Sequence, residues 1–112
     1  MPISNTVAAA NSVAERLHRA IEALATGRGD VRSRLESAGL ALLPLQASEF
    51  PEELQADFEW VVWQLTRFEA RHQEGSLRAT LRRIQNSTGQ KIATRILRIY
   101  MRVQEIRGNT LI

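Results

Sequence analysis

Residues 92–106 read IATRILRIYMRVQEI. Apolar residues recur in this stretch at alternating steps of four and three, at Ile92, Ile96, Ile99, Val103 and Ile106. Such spacing places one apolar stripe along a helix, and no β-type alternation of useful length competes with it. The stretch therefore predicts an amphipathic helix that ends near Gly108.

Three earlier segments show the same helical period. We expect a first helix over residues 5–26 and a second that begins after the N-cap Asp30 and stops before Pro44. A third should begin with Ser48 as its cap and Pro51 in its first turn, and should reach about residue 74. The expected stripes are Val7, Ala10, Ala14, Leu17, Ile21 and Leu24; Val31, Leu35, Ala38 and Leu42; and Leu54, Phe58, Val61, Leu65 and Phe68, with His72 as a further candidate.

The last helical region opens at Ser76. Its first stripe, Leu77, Leu81 and Ile84, is out of step with the stripe of residues 92–106. Residues 86–89 lie between the two stripes and are poor helix formers, so we expect either a skip within one long helix or a short break there. The whole pattern predicts one domain over residues 1–112, an all-α bundle of about four amphipathic helices in an up-down arrangement.

Composition removes several classes of protein. A chain of 112 residues buries roughly two thirds of its unfolded surface. It has no cysteine, which excludes disulfides, thiolate metal sites and a cysteine nucleophile. The sequence shows no signal peptide and no run approaching about 18 apolar residues, so we expect a cytoplasmic protein without membrane contact.

Basic residues are concentrated in the C-terminal part of the chain. From residue 77 onward there are eight basic residues and one acidic residue, whereas residues 1–76 hold seven basic and eleven acidic ones. Lys91, Arg95, Arg98 and Arg102 line one side of the last helix, and such a row could follow the phosphates of a nucleic acid. The alternatives are that the row is a solvated flank of the helix, or that it faces the acidic start of the third helix, within one chain or across a dimer.

Two tryptophans lie away from the apolar stripe of the third helix. Counted from Leu54 at about 100° per residue, the stripe spans about 320° to 40°, whereas Trp60 falls near about 240° and Trp63 near about 180°. Arg67 and Arg71 lie on the same side as the tryptophans. Because tryptophan and arginine are enriched in binding hot spots, these four residues form a candidate partner-binding surface. Alternatively, a neighbouring helix buries the tryptophans, or a second copy covers them.

A pair of Glu-x-x-His units, Glu15 with His18 and Glu69 with His72, matches part of a di-iron ligand set. On the first helix, however, Glu15 lies about 130° from the centre of the apolar stripe. We therefore expect no metal, no cofactor and no catalytic residue.

The sequence leads to two hypotheses about function. The first is a small non-enzymatic interaction protein that binds itself or another protein, in an accessory role such as that of an inhibitor or immunity protein. The second is a nucleic-acid-binding protein that uses the arginine-rich C-terminal helix.

Overall fold

A computed structural model describes residues 2–70 and 75–111, with side chains over residues 12–70 and 75–108. In these residues the fold is all-α, as expected, and has no strand. The helices are α1 (Pro2–Thr26), α2 (Val31–Leu42), α3 (Glu52–Thr66), α4 (Gly75–Arg83) and α5 (Asn86–Leu111), with a 3₁₀ turn at Ala47–Glu49. The expected number of about four helices is not confirmed, because the last region forms two.

The apolar stripes meet in one core. α5 packs against α1, α2 and α3, while α2 packs against α1, α4 and α5. Of the predicted stripe residues that lie in the described part, most are buried, and Ile21, Leu24, Phe68 and Ile106 are half-buried at its edge. Val7, Ala10 and His72 lie outside the described side chains.

The start of α2 is confirmed. Asp30 caps it, since the backbone N–H of Ser33 donates to Asp30 Oδ1 over 3.1 Å. That hydrogen bond, followed by one from the guanidinium of Arg32, lowers the pKa of Asp30 below its ordinary value. The cap therefore fixes where the second helix begins.

The predicted bounds of the third helix are wrong at both ends. Ser48 lies within the 3₁₀ turn, and α3 begins only after its N-cap Pro51. At the other end α3 stops at Thr66, not near residue 74. The backbone N–H of Phe68 donates to the buried hydroxyl of Thr80 over 3.0 Å, and this contact with α4 replaces a further turn of helix.

The break between α4 and α5 lies at residues 84–85, just before the predicted 86–89. The carbonyl of Ile84 accepts a hydrogen bond of 3.2 Å from Arg32 on α2, which satisfies a group that the break leaves without a helical partner. Gly89 lies in the first turn of α5, where a Cβ atom would come within 2.9 Å of Val31. Glycine there permits the close approach of α5 to α2.

The Thr80 hydroxyl should be important for stability. We expect Thr80→Val to lower the free energy of unfolding by about 1–3 kcal/mol, because the half-buried Phe68 N–H loses its acceptor. Thr94→Val is the matched control, since the exposed Thr94 hydroxyl bonds only to Gln90 O in its own helix. Urea unfolding followed by circular dichroism compares the two variants, and equal losses would show that the contact with Phe68 is unimportant.

Candidate interaction surface

Trp60 and Trp63 occupy different positions on α3. Trp63 is 57% exposed, whereas Trp60 is half-buried and packs against the edge of the core. The difference follows from their angles on the helix, because Trp60 is nearer to the side that faces α5. A neighbouring helix therefore covers much of one tryptophan and leaves the other in solvent.

Arginine side chains stack on the aromatic rings at the end of α3. The Arg67 guanidinium carbon lies 5.6 Å from the ring centroid of Trp63 and 5.0 Å from that of Phe68. Arg83 of α4 reaches the same Phe68 ring at 5.5 Å and donates to the carbonyl of Glu69 over 3.1 Å. Both arginines are thus placed by cation–π contacts, which favour a guanidinium within about 6 Å of a ring.

Sequence reasoning missed Phe68 and Arg83. Phe68 continues the period of the α3 stripe, so it was assigned to the helix and its core face. Because α3 stops at Thr66, Phe68 instead lies beyond the helix, between Arg67 and Arg83. The sequence holds no local signal for this arrangement, since the Thr80 hydroxyl that accepts from Phe68 is twelve residues away.

Arg95 joins the two sites that the sequence suggested separately. Its guanidinium carbon lies 4.4 Å from the ring centroid of Trp60, and its Nη1 donates to Asp57 Oδ1 over 2.9 Å. Trp60 and Asp57 are one turn apart on α3, so one arginine of α5 contacts both. This stack brings the tryptophans of α3 beside the basic row of α5.

The basic row divides into paired and unpaired side chains. Like Arg95, Arg102 reaches the acidic start of α3, at 3.1 Å from Glu53, and it also pairs with Glu105 at 3.0 Å. The hydrogen bonds that Arg102 donates to Glu105 and then to Glu53 raise the pKa of Arg102 above its ordinary value. Lys91 and Arg98 are exposed and form no ion pair with any other described residue.

An open cleft runs between Trp60 and the outer side of α5. Its volume is about 490 Å³, and its lining is Trp60, Ser87, Gln90, Lys91, Thr94, Arg95 and Arg98. We call the combined region the aromatic–arginine surface: Trp60, Trp63, Arg67, Phe68, Arg83, Lys91, Arg95 and Arg98. Arg71, the fourth residue of the predicted partner-binding set, lies outside the described residues.

Of the two Glu-x-x-His units, Glu15, His18 and Glu69 lie within the described residues. His18 is exposed and contacts Tyr100 Oη at 3.4 Å, while Glu15 pairs with Arg19 at 2.6 Å. His72 lies outside the described residues. Among those described, no group of three or more histidine, aspartate or glutamate side chains is placed to hold a metal ion.

Within the described residues, no helix combines the length and apolar character that crossing a membrane requires. No protein-family model, curated protein or solved structure matches the chain.

The two tryptophans should differ in their access to solvent. We expect acrylamide to quench Trp63 in the Trp60→Phe variant more strongly than Trp60 in the Trp63→Phe variant, because Arg95 and α5 cover the Trp60 ring. Stern–Volmer titrations of the folded variants measure this difference, and the same titrations in denaturant serve as the control. Equal quenching in the folded state would contradict the arrangement.

Proposed function

We propose that this chain is a small non-enzymatic interaction protein that binds an acidic segment of another protein through the aromatic–arginine surface. An accessory role, such as that of an inhibitor or immunity protein, fits this activity. The observation that carries the proposal is the exposed indole of Trp63, held beside the guanidinium of Arg67.

Trp63 is a suitable anchor for a partner. Its side chain is 57% exposed, and burying that surface at roughly 25 cal/mol per Å² would contribute about 3 kcal/mol to binding. Tryptophan and arginine together are typical of the residues that dominate binding energy in interfaces. Contact between the Arg67 side chain and two rings also restricts its motion before a partner arrives, which reduces the entropy lost on binding.

Charge supports an acidic partner. Arg67, Lys91 and Arg98 form no ion pair within the described residues, so they are available to carboxylates of a second protein. The lining of the adjacent cleft includes arginine, lysine and the Trp60 ring. An acidic segment with an apolar side chain facing Trp63 would match both features.

The same contacts make nucleic acid the weaker candidate. Arg95 and Arg102 already hold Asp57 and Glu53, so a phosphate would have to displace a carboxylate at two of the four positions of the row. An acidic protein segment can bind Arg67 and Lys91 without breaking either pair. This difference favours the protein partner.

We expect a fluorescent, acidic, amphipathic helical peptide with leucine and phenylalanine on one face to bind the wild-type protein. Trp63→Ala should weaken this binding about tenfold or more. Truncating a hot-spot residue typically costs about 2 kcal/mol or more in binding free energy, and a tenfold loss of affinity corresponds to about 1.4 kcal/mol. Arg67→Ala should also weaken it. Fluorescence anisotropy titrations give the dissociation constants.

Two controls distinguish specific binding from nonspecific hydrophobic binding. A basic peptide with the same apolar residues should bind poorly, and Leu40→Ala, which removes another exposed apolar side chain on α2, should leave binding unchanged. Failure of the acidic peptide to bind, or equal binding of both peptides, would contradict the proposal. Salt-sensitive binding of duplex or single-stranded DNA in place of the acidic peptide would favour the nucleic-acid hypothesis instead.

A further inference from the structure

A second apolar surface lies between α1 and α5, on the side of α5 away from α3. It is a shallow groove of about 280 Å³, lined by Ile21, Leu24, Ala25, Ala93, Thr94 and Leu97. Leu97 is 43% exposed, and Met101, one turn further along α5, is 53% exposed. Leu97 and Met101 are two of the four exposed large apolar residues among those described, and they lie on adjacent turns of one helix beside this groove.

Helical spacing separates this groove from the aromatic–arginine surface. Relative to Ile96, which points into the core, Leu97 and Met101 lie at about 100° and 140°, whereas Arg95 lies at about −100° and faces α3. Leu97 and Met101 therefore lie on the flank of α5 opposite to Arg95, and Arg98 lies on the outer side between them. A partner could cover one flank without touching the tryptophans.

Charges of opposite sign border the groove. On the outward side of α1, Glu15 pairs with Arg19, and the exposed Glu22 lies 3.8 Å from the imidazole Nε2 of His18. Glu22 therefore has no arginine or lysine partner among the described residues. On the outward side of α5 lie Lys91 and Arg98, which form no ion pair within the described residues. An exposed acidic side chain of α1, Glu22, and an exposed basic side chain of α5, Arg98, thus lie on the outward side of the two helices.

The contacts between α1 and α5 fix how the charged side chains of the two helices are aligned along their length. His18 meets Tyr100, and Leu24 lines the groove together with Ala93, so the two helices run antiparallel. By this alignment Glu22 is level with about residue 96, only about two residues, or about 3 Å of helix rise, from Arg98. A partner that places a copy of α1 over α5 would therefore bring these two side chains close together.

We propose that this face binds a second copy of the chain, related by a twofold axis parallel to α1 and α5. In that arrangement α1 of each copy lies over α5 of the other, and the two strips of Leu97 and Met101 meet across the axis. Glu22 of one copy then faces the partner's Arg98, and symmetry repeats the pair. Such a self-complementary contact is what a twofold interface requires.

The size of the face fits this occupant. α1 ends at Thr26 and α5 at Leu111, so by this alignment the two helices overlap over about 20 residues, or about 30 Å at about 1.5 Å per residue. Two helices packed side by side present a face about 20 Å wide, or about 600 Å². That corresponds to about 1,200 Å² buried in total, the lower end of the range for a specific stable interface.

The dimer would leave α3 free in both copies. Trp63 and Arg67 remain accessible to an acidic segment, while Arg98 is used in the dimer. The inference does not depend on the proposed function, because its apolar contacts come from Leu97 and Met101, although both proposals use Arg98.

Light scattering on a sizing column and sedimentation equilibrium test the proposal. The wild-type protein should be a dimer, and Leu97→Asp should raise the dissociation constant of the dimer at least about tenfold. Leu40→Asp is the matched control, because it places the same charge at an exposed leucine of α2 and should leave the dimer intact. Circular dichroism checks that both variants are folded.

A charge exchange tests the arrangement directly, even if Leu97→Asp were to unfold the chain. Glu22→Arg and Arg98→Glu should each weaken the dimer about tenfold, since each puts like charges together at two symmetric places, and the double variant should recover most of the affinity. A monomeric wild-type protein, or a double variant as weak as the single ones, would overturn the proposal. A dimer that is lost in Trp63→Ala but not in Leu97→Asp would place the interface on α3 instead.

Discussion

The fold depends most on the burial of one stripe of α5. Ile92, Ile96 and Ile99 are each at most 2% exposed, because α5 packs against α1, α2 and α3. Once this stripe points inward, the step of about 100° per residue fixes the direction of each remaining side chain of α5. Arg95 and Arg102 then face α3, and Leu97 and Met101 lie beside α1. Both candidate surfaces are thus consequences of one packing constraint.

A buried hydroxyl has a comparable influence on α3. Thr80 is fully buried, and the backbone of Phe68 satisfies its oxygen. Continuing α3 past Thr66 would carry the Phe68 N–H back into the helix and leave Thr80 without this partner, at a cost of about 1–3 kcal/mol. The early end of α3 places Phe68 between two arginines. The need of the buried Thr80 hydroxyl for a hydrogen-bond partner therefore determines where Phe68 lies in the aromatic–arginine surface.

The local part of the fold was predictable from the sequence, and the part that depends on distant contacts was not. Asp30 and the stripe of α2 were identified correctly because caps and apolar periods act over a few residues. The end of α3 was missed because Phe68 continues the period while its partner Thr80 lies on another helix. For the basic row, the sequence left three alternatives open: phosphate, solvent, or the acidic start of the third helix. Only the packing of α5 on α3 shows that Arg95 and Arg102 reach Asp57 and Glu53.

Which of the two tryptophans a neighbouring helix covers could not be predicted from the sequence either. They are separated by about 60° on the helix, a difference too small for a helical projection to decide which one a neighbour covers. Arg95 stacks on Trp60 while it holds Asp57, so this tryptophan serves mainly to join α3 to α5. Trp63 has no such neighbour on α5 among the described residues. The arginine beside its ring, Arg67, lies four residues further along the same part of the chain. The stack of Arg95 on Trp60 holds α3 in position. The stack of Arg67 on Trp63 therefore presents an indole and a guanidinium to solvent on a helix that is already fixed in place.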